Sequence, residues 1–105
     1  MMTRRKRNTC EREGLDLLIN RLLSNNRYYS IDRNLHYDVR GLQGEFDVLG
    51  VRHNGTHVYF EYKCHHSSKK YSGVCKQFRR AKKAFPQYDW RFVYVTPQKI
   101  KLVTI

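Results

Sequence analysis

The chain has 105 residues, 40% of them hydrophobic: enough for one packed domain, too short for a second core, and too apolar for a disordered segment. Lys and Arg number 21 against 9 Asp and Glu, a formal net charge of +12, and such a field draws polyanions, nucleic acid first among them. No apolar run approaches the roughly 18 residues that a membrane-spanning helix needs.

In chain order, Met1-Met2-Thr3-Arg4-Arg5-Lys6-Arg7 is basic with no apolar segment behind it. It reads as an arm over residues 1–8 that tracks phosphates, through Arg4, Arg5, Lys6 and Arg7, and not as a signal peptide. A first helix is predicted over about Thr9–Ser24, with Leu15, Leu18 and Leu22 at helical spacing, Asn8 or Thr9 as its cap and Asn25-Asn26 at its end. Gly14 sits awkwardly inside it, at a cost of about 1 kcal/mol relative to Ala. Tyr28–Tyr37 is extended, and residues 39–44, with two glycines, form a loop. Strands follow over Glu45–Arg52 and His57–Cys64, joined at His53-Asn54-Gly55.

A second helix is predicted over about Ser72–Phe85, with Val74, Phe78, Ala81 and Phe85 on one face and Lys76, Arg79 and Arg80 among the cations around the rest. Pro86 stops it. Trp90–Val95 and Ile100–Ile105 are closing strands, separated by a turn at 96–98. The class is α/β or α+β: one domain over 1–105, with a central sheet flanked by two helices. Cys10, Cys64 and Cys75 form no recognisable framework, which argues for reduced thiols and a cytoplasmic setting. Cys64-His65-His66 with Cys75 lacks the paired knuckles of a zinc site.

The chemistry concentrates in the hairpin. Phosphodiester hydrolysis needs charge neutralisation at phosphorus and an activated water. Carboxylates and backbone carbonyls are the oxygen ligands that Mg²⁺ or Mn²⁺ prefers, and Asp47, Glu61 and the Tyr62 carbonyl supply such a set. Lys63 lies two residues beyond Glu61, so on a strand both side chains share a face. Asp47 joins them only if the register allows it. A two-residue Asn54-Gly55 turn sets Asp47 opposite Tyr62 and pointing away; a three-residue His53-Asn54-Gly55 loop, with Gly55 in the left-handed region, sets it opposite Glu61. The three-residue loop is the prediction. Asp ahead of an apolar run and Glu-x-Lys on a strand also arise by chance, but charges in strands this apolar are costly unless paired or metal-bound.

Gly44-Glu45-Phe46-Asp47-Val48-Leu49 followed by Tyr59-Phe60-Glu61-Tyr62-Lys63 resembles the core motif of the PD-(D/E)xK nuclease superfamily. Within it the chain is most like the archaeal Holliday junction resolvases and small resolvase-like proteins, over nearly its whole length; Phe46 stands where the motif usually has Pro. The resemblance implies a restriction-endonuclease-like α-β-β-β-α-β core, a mixed sheet flanked by helices, one or two Mg²⁺ ions (Mn²⁺ as substitute), a homodimer, and structure-selective cutting of DNA. It also implies a Glu on the first helix near the metal. Glu11 shares the face of Leu15, Leu18 and Leu22, whereas Glu13 turns away, so Glu11 is the candidate; a capping box with Asn8 is its alternative role. A Gln on the second helix is common near such sites, and Gln77 is either that residue or an ordinary surface side chain. Ser67, Lys69 and Lys70 belong to a polar loop placed to meet phosphates, or simply to a solvated one; His65 and His66 are open to the same two readings. The competing functions are cleavage of linear or nicked DNA on the same fold, and nucleic-acid binding without catalysis.

Overall fold

The structure is a computed structural model that describes the backbone of residues 2–105 and the side chains of residues 10–105. Seven elements follow one another: α1 (Met2–Leu23), β1 (Tyr28–Val39), β2 (Leu42–Arg52), β3 (His57–Tyr62), α2 (Ser68–Ala84), β4 (Trp90–Thr96) and β5 (Lys99–Val103). The strands form one sheet in the order β1-β2-β3-β4-β5. Only β3 and β4 run parallel; the other neighbours are antiparallel. That parallel step requires a crossover, and α2 provides it. The architecture is α/β with a mixed sheet and a helix on each face.

α1 begins earlier than the sequence suggests. Residues 2–8, expected as an arm, are its opening turns, since Arg and Lys are good helix formers and neither Gly nor Pro interrupts them. The side chains of Arg4, Arg5, Lys6 and Arg7 lie outside the described residues. The helix runs through Asn8 and Thr9, so neither caps it, and the capping-box alternative for Glu11 falls away. Leu15, Leu18 and Leu22 bury the inner face of α1 against Val48, Val58, Phe60, Tyr62, Val93 and Val95. Gly14 has a packing reason to be in the helix: a methyl group there would overlap the Tyr62 ring.

A disulfide joins Cys10 on α1 to Cys64 just beyond β3, with Cα atoms 6.3 Å apart. This corrects the expectation of three reduced thiols, and the argument for a cytoplasmic setting drawn from it falls too. A separation of 54 residues hid the pair, because only the docking of α1 across the sheet brings them together. Cys75 is free and buried. No described helix is long and apolar enough to cross a membrane.

The expected loop at 39–44 is a tight hairpin instead. Arg40 (φ 49°) and Gly41 (φ 81°) make a two-residue connection with the positive φ at both positions that a type I′ turn demands. Leu42, Gln43 and Gly44 are already strand. Since β3 pairs only as far as Val48 of β2, the β1–β2 pair continues beyond it as a two-stranded ribbon. This ribbon leans on α2: Arg40 Nη2 donates to Ala84 O at 3.1 Å and Arg80 Nη1 to Gln43 O at 3.3 Å. The Tyr37 and Phe46 rings pack on Phe85.

α2 begins at Ser68, about a turn before the predicted start, because Ser67 caps it: its hydroxyl accepts from the Lys70 amide at 3.1 Å. Lys69 and Lys70 are therefore helical. Val74, Phe78 and Ala81 are almost fully buried against Tyr59, Phe92 and Tyr94. The helix ends before Pro86, and Trp90 Nε1 donates to the Phe85 carbonyl at 2.8 Å.

Candidate metal centre on the helix-α2 face

The hairpin between β2 and β3 decides whether a site exists. The ladder pairs Val51 with His57, Gly50 with Val58, Leu49 with Tyr59 and Val48 with Phe60. Arg52 and Thr56 close it, with Arg52 N donating to Thr56 O at 2.9 Å, and Gly55 takes φ 91°. This is the three-residue loop, and the same register carried one step further sets Asp47 opposite Glu61. There the regular ladder gives way: the Tyr62 amide donates to Asp47 Oδ2 at 3.1 Å. Phe46 and Leu49 both join the α2-side core, so strict alternation is broken between them.

Asp47, Glu61 and Lys63 line one cavity of about 190 Å³ together with Tyr37, Gly44, Glu45, Tyr59, Gln77 and Arg80. Three strands, β1, β2 and β3, and helix α2 thus contribute to one pocket. Its deepest ionisable group is Glu61, 3% exposed. Burial, then the neighbouring Asp47 carboxylate, pushes the Glu61 pKa up to about 9, although the Tyr59 hydroxyl and Lys63 pull it down. The Tyr59 hydroxyl lies 2.9 Å from Glu61 Oε1 and 3.1 Å from Glu45 O. With its amide nitrogen turned inward, Gln77 donates to both Glu61 oxygens at 3.2 Å. Gln77 is thus in the site and not on the open surface.

Burial beside the half-buried Asp47 favours the protonated form of Glu61 in the metal-free fold, and a hard cation bound between the two carboxyl groups would take the place of that proton. No three His, Cys, Asp or Glu side chains converge among the described residues. Mg²⁺ does not need such a cage, because it keeps several waters and is held through one or two carboxylates. The residues therefore fit Mg²⁺ or Mn²⁺, with Asp47 and Glu61 as the side-chain ligands.

Other predicted residues lie apart. Glu11 does not line the cavity; it is on α1, across the sheet, near the Tyr62 phenol, whose pKa burial raises first and Glu11 second. Ser67 is engaged as a cap. Lys69, Lys70, Lys76 and Arg79 are exposed on α2, with Lys76 and Arg79 adjoining the cavity residues Gln77 and Arg80 in sequence. His66 Nδ1 sits 3.1 Å from the Tyr94 hydroxyl. Sequence reasoning missed Tyr37, Glu45 and above all Tyr59. The signal for Tyr59 was there, since a residue two before Glu61 on a strand faces the same way.

No protein-family model matches the chain, and no curated protein and no solved structure is significantly similar to it.

Proposed function

We propose that the chain is a metal-dependent DNA endonuclease with a restriction-endonuclease-like core, acting on branched DNA in the manner of a Holliday junction resolvase. The observation that carries this reading is the meeting of Asp47, Glu61 and Lys63 in one cavity beside the basic helix α2. The element order through β4, α-β-β-β-α-β, also accords with such a core.

Bound Mg²⁺ or Mn²⁺ would neutralise charge on the scissile phosphate and lower the pKa of a water. Asp47 and Glu61 would hold the ion, with the Tyr62 carbonyl beside them. Lys63 orients the attacking water and offsets charge building on the phosphate oxygens. Arg80, on the cavity wall, grips a non-bridging oxygen as a planar fork. Lys69, Lys70, Lys76 and Arg79 hold the flanking backbone; such contacts fix register without reading sequence, which suits recognition by DNA shape. Action on chromosomal or viral DNA implies an intracellular place of work, and two copies as a homodimer would cut two strands symmetrically.

The test is cleavage of an end-labelled four-way junction and a matched linear duplex with Mg²⁺, with Mn²⁺ and with EDTA. Metal-dependent paired incisions confined to the junction are expected. Equal cutting of the duplex keeps the nuclease and discards the junction preference; tight binding without cleavage in any metal defeats the enzymatic reading.

A further inference from the structure

We infer that Tyr59 is a positioning residue of this site: its hydroxyl, held in place by the packing of its ring, donates to Glu61 Oε1 and fixes the carboxylate that β3 would offer to a metal ion. The inference rests on the metal-centre reading above and deepens it.

The geometry starts with the ring. Tyr59 is 1% exposed, held edge-on by Phe46 and Phe78 at 4.9 and 4.8 Å between centroids, with Phe92 at 6.3 Å. A ring clamped on several sides has one rotamer, so its hydroxyl is a fixed point and not a mobile donor. That point is 2.9 Å from Glu61 Oε1 and 3.1 Å from Glu45 O.

A tyrosyl hydroxyl has one proton and free lone pairs, so it serves two acceptors unequally. An ionised carboxylate is the stronger acceptor. When Glu61 is charged, the proton goes to Oε1 and the bond is charge-assisted. Oε1 is then held by Tyr59, while Gln77 approaches both oxygens from α2 at 3.2 Å. The carboxylate plane is fixed from two sides, leaving lone pairs of both oxygens for a cation. Without the hydroxyl, Glu61 keeps only the longer Gln77 contacts.

Groups that hold ligands in this way typically contribute 10- to 100-fold to metal affinity or activity. Tyr59→Phe removes the hydroxyl and leaves the ring. Val103→Ala softens the same core from β5 without removing a ring that clamps Tyr59 or a polar atom of the site, and so reports what mere softening of the core does. Mn²⁺ is titrated calorimetrically into the wild-type chain and both variants, and the Tyr59→Phe chain is crystallised without metal. The expected result is Mn²⁺ affinity weakened roughly 10- to 100-fold in Tyr59→Phe, near wild-type affinity in Val103→Ala, and a Glu61 side chain that leaves its wild-type rotamer in the Tyr59→Phe crystals. Unchanged affinity in Tyr59→Phe, or equal losses in both variants, overturns the inference. If the wild-type chain takes up no Mn²⁺, the metal-centre reading fails on its own. The crystals then decide the positioning role alone: a displaced Glu61 upholds it and an unmoved Glu61 ends it.

Discussion

Each face of the sheet carries one cluster of buried apolar residues, and the two differ in composition. On the α1 face, Leu15, Leu18 and Leu22 pack on Val48, Val58, Phe60, Tyr62, Val93 and Val95, a layer that is mostly aliphatic. On the α2 face the core is aromatic, with Phe46, Tyr59, Phe78, Trp90 and Phe92 in mutual contact, and at its margin are the buried Glu61 and half-buried Asp47. β3 serves both. Its alternate residues Val58, Phe60 and Tyr62 face α1, while Tyr59 and Glu61 face α2. One strand of six residues thus anchors the fold with one set of side chains and builds the site with the other. The lesson is that the aromatic face tolerates a buried carboxylate because Tyr59 and Gln77 in its wall supply hydrogen bonds to it.

If the faces divide labour in this way, damage to each has a separate signature. The largest expected effect is on the α2 face: Asp47→Ala lowers cleavage by roughly 10³-fold or more with the fold retained, measured by single-turnover incision beside circular dichroism. Equal loss of helix signal and activity would erase the distinction. On the opposite face, Leu18→Ala lowers stability by about 2–5 kcal/mol, read from denaturant midpoints, while the rate per folded molecule stays near that of the wild type. A fall in rate at full folding would mean that the α1 face participates in catalysis.

The Cys10–Cys64 bond should act in the same sense as Leu18 and somewhat less strongly. Reduction, or Cys10→Ser, costs about 2–4 kcal/mol by freeing a long loop in the unfolded chain, measured by thermal melts with and without dithiothreitol. No shift on reduction would show that the bond does not form in solution.

A further effect is a pH dependence peculiar to the α2 face. Glu61 is raised from 4.5 to about 9 in the metal-free fold, so between those values the folded chain keeps a proton that the unfolded chain has released. Its contribution to stability is therefore present at acid pH and declines as pH rises through that window. Denaturant melts in EDTA should show the wild type losing stability from about pH 5.5 to about pH 8.5, and Glu61→Gln losing less. Added Mg²⁺ should stabilise the wild type more at the upper end, because the ion competes with the proton for the carboxylate. Parallel pH profiles for the two chains would show that Glu61 is not the titrating group.

Much of this was written in the sequence. The apolar spacing of Leu15, Leu18 and Leu22 and of Val74, Phe78 and Ala81 marked both helices and their inner faces, because a helix of this period has one way to bury such residues. His53-Asn54-Gly55 marked the hairpin, and of its two possible registers the expected three-residue loop is the one that forms; a slip of one residue would have turned Asp47 away. Local patterns carry such information because the interactions they encode are local.

What the tertiary structure alone decided depends on contacts between segments distant in sequence. The ribbon at 39–44 read as a loop, since glycines and polar residues there look the same whether or not a neighbouring strand pairs with them. The partnership of Cys10 with Cys64 and the placement of Glu11 near Tyr62, across the sheet from the cavity, follow from how α1 lies across the sheet. Gln77 could be placed in the site or on the surface only once α2 was docked. That Tyr59 faces the same way as Glu61 was readable from their spacing, but the distance of its hydroxyl from Glu61 Oε1 and Glu45 O was not. Each is a question of which distant surfaces meet, and a one-dimensional pattern does not hold that answer.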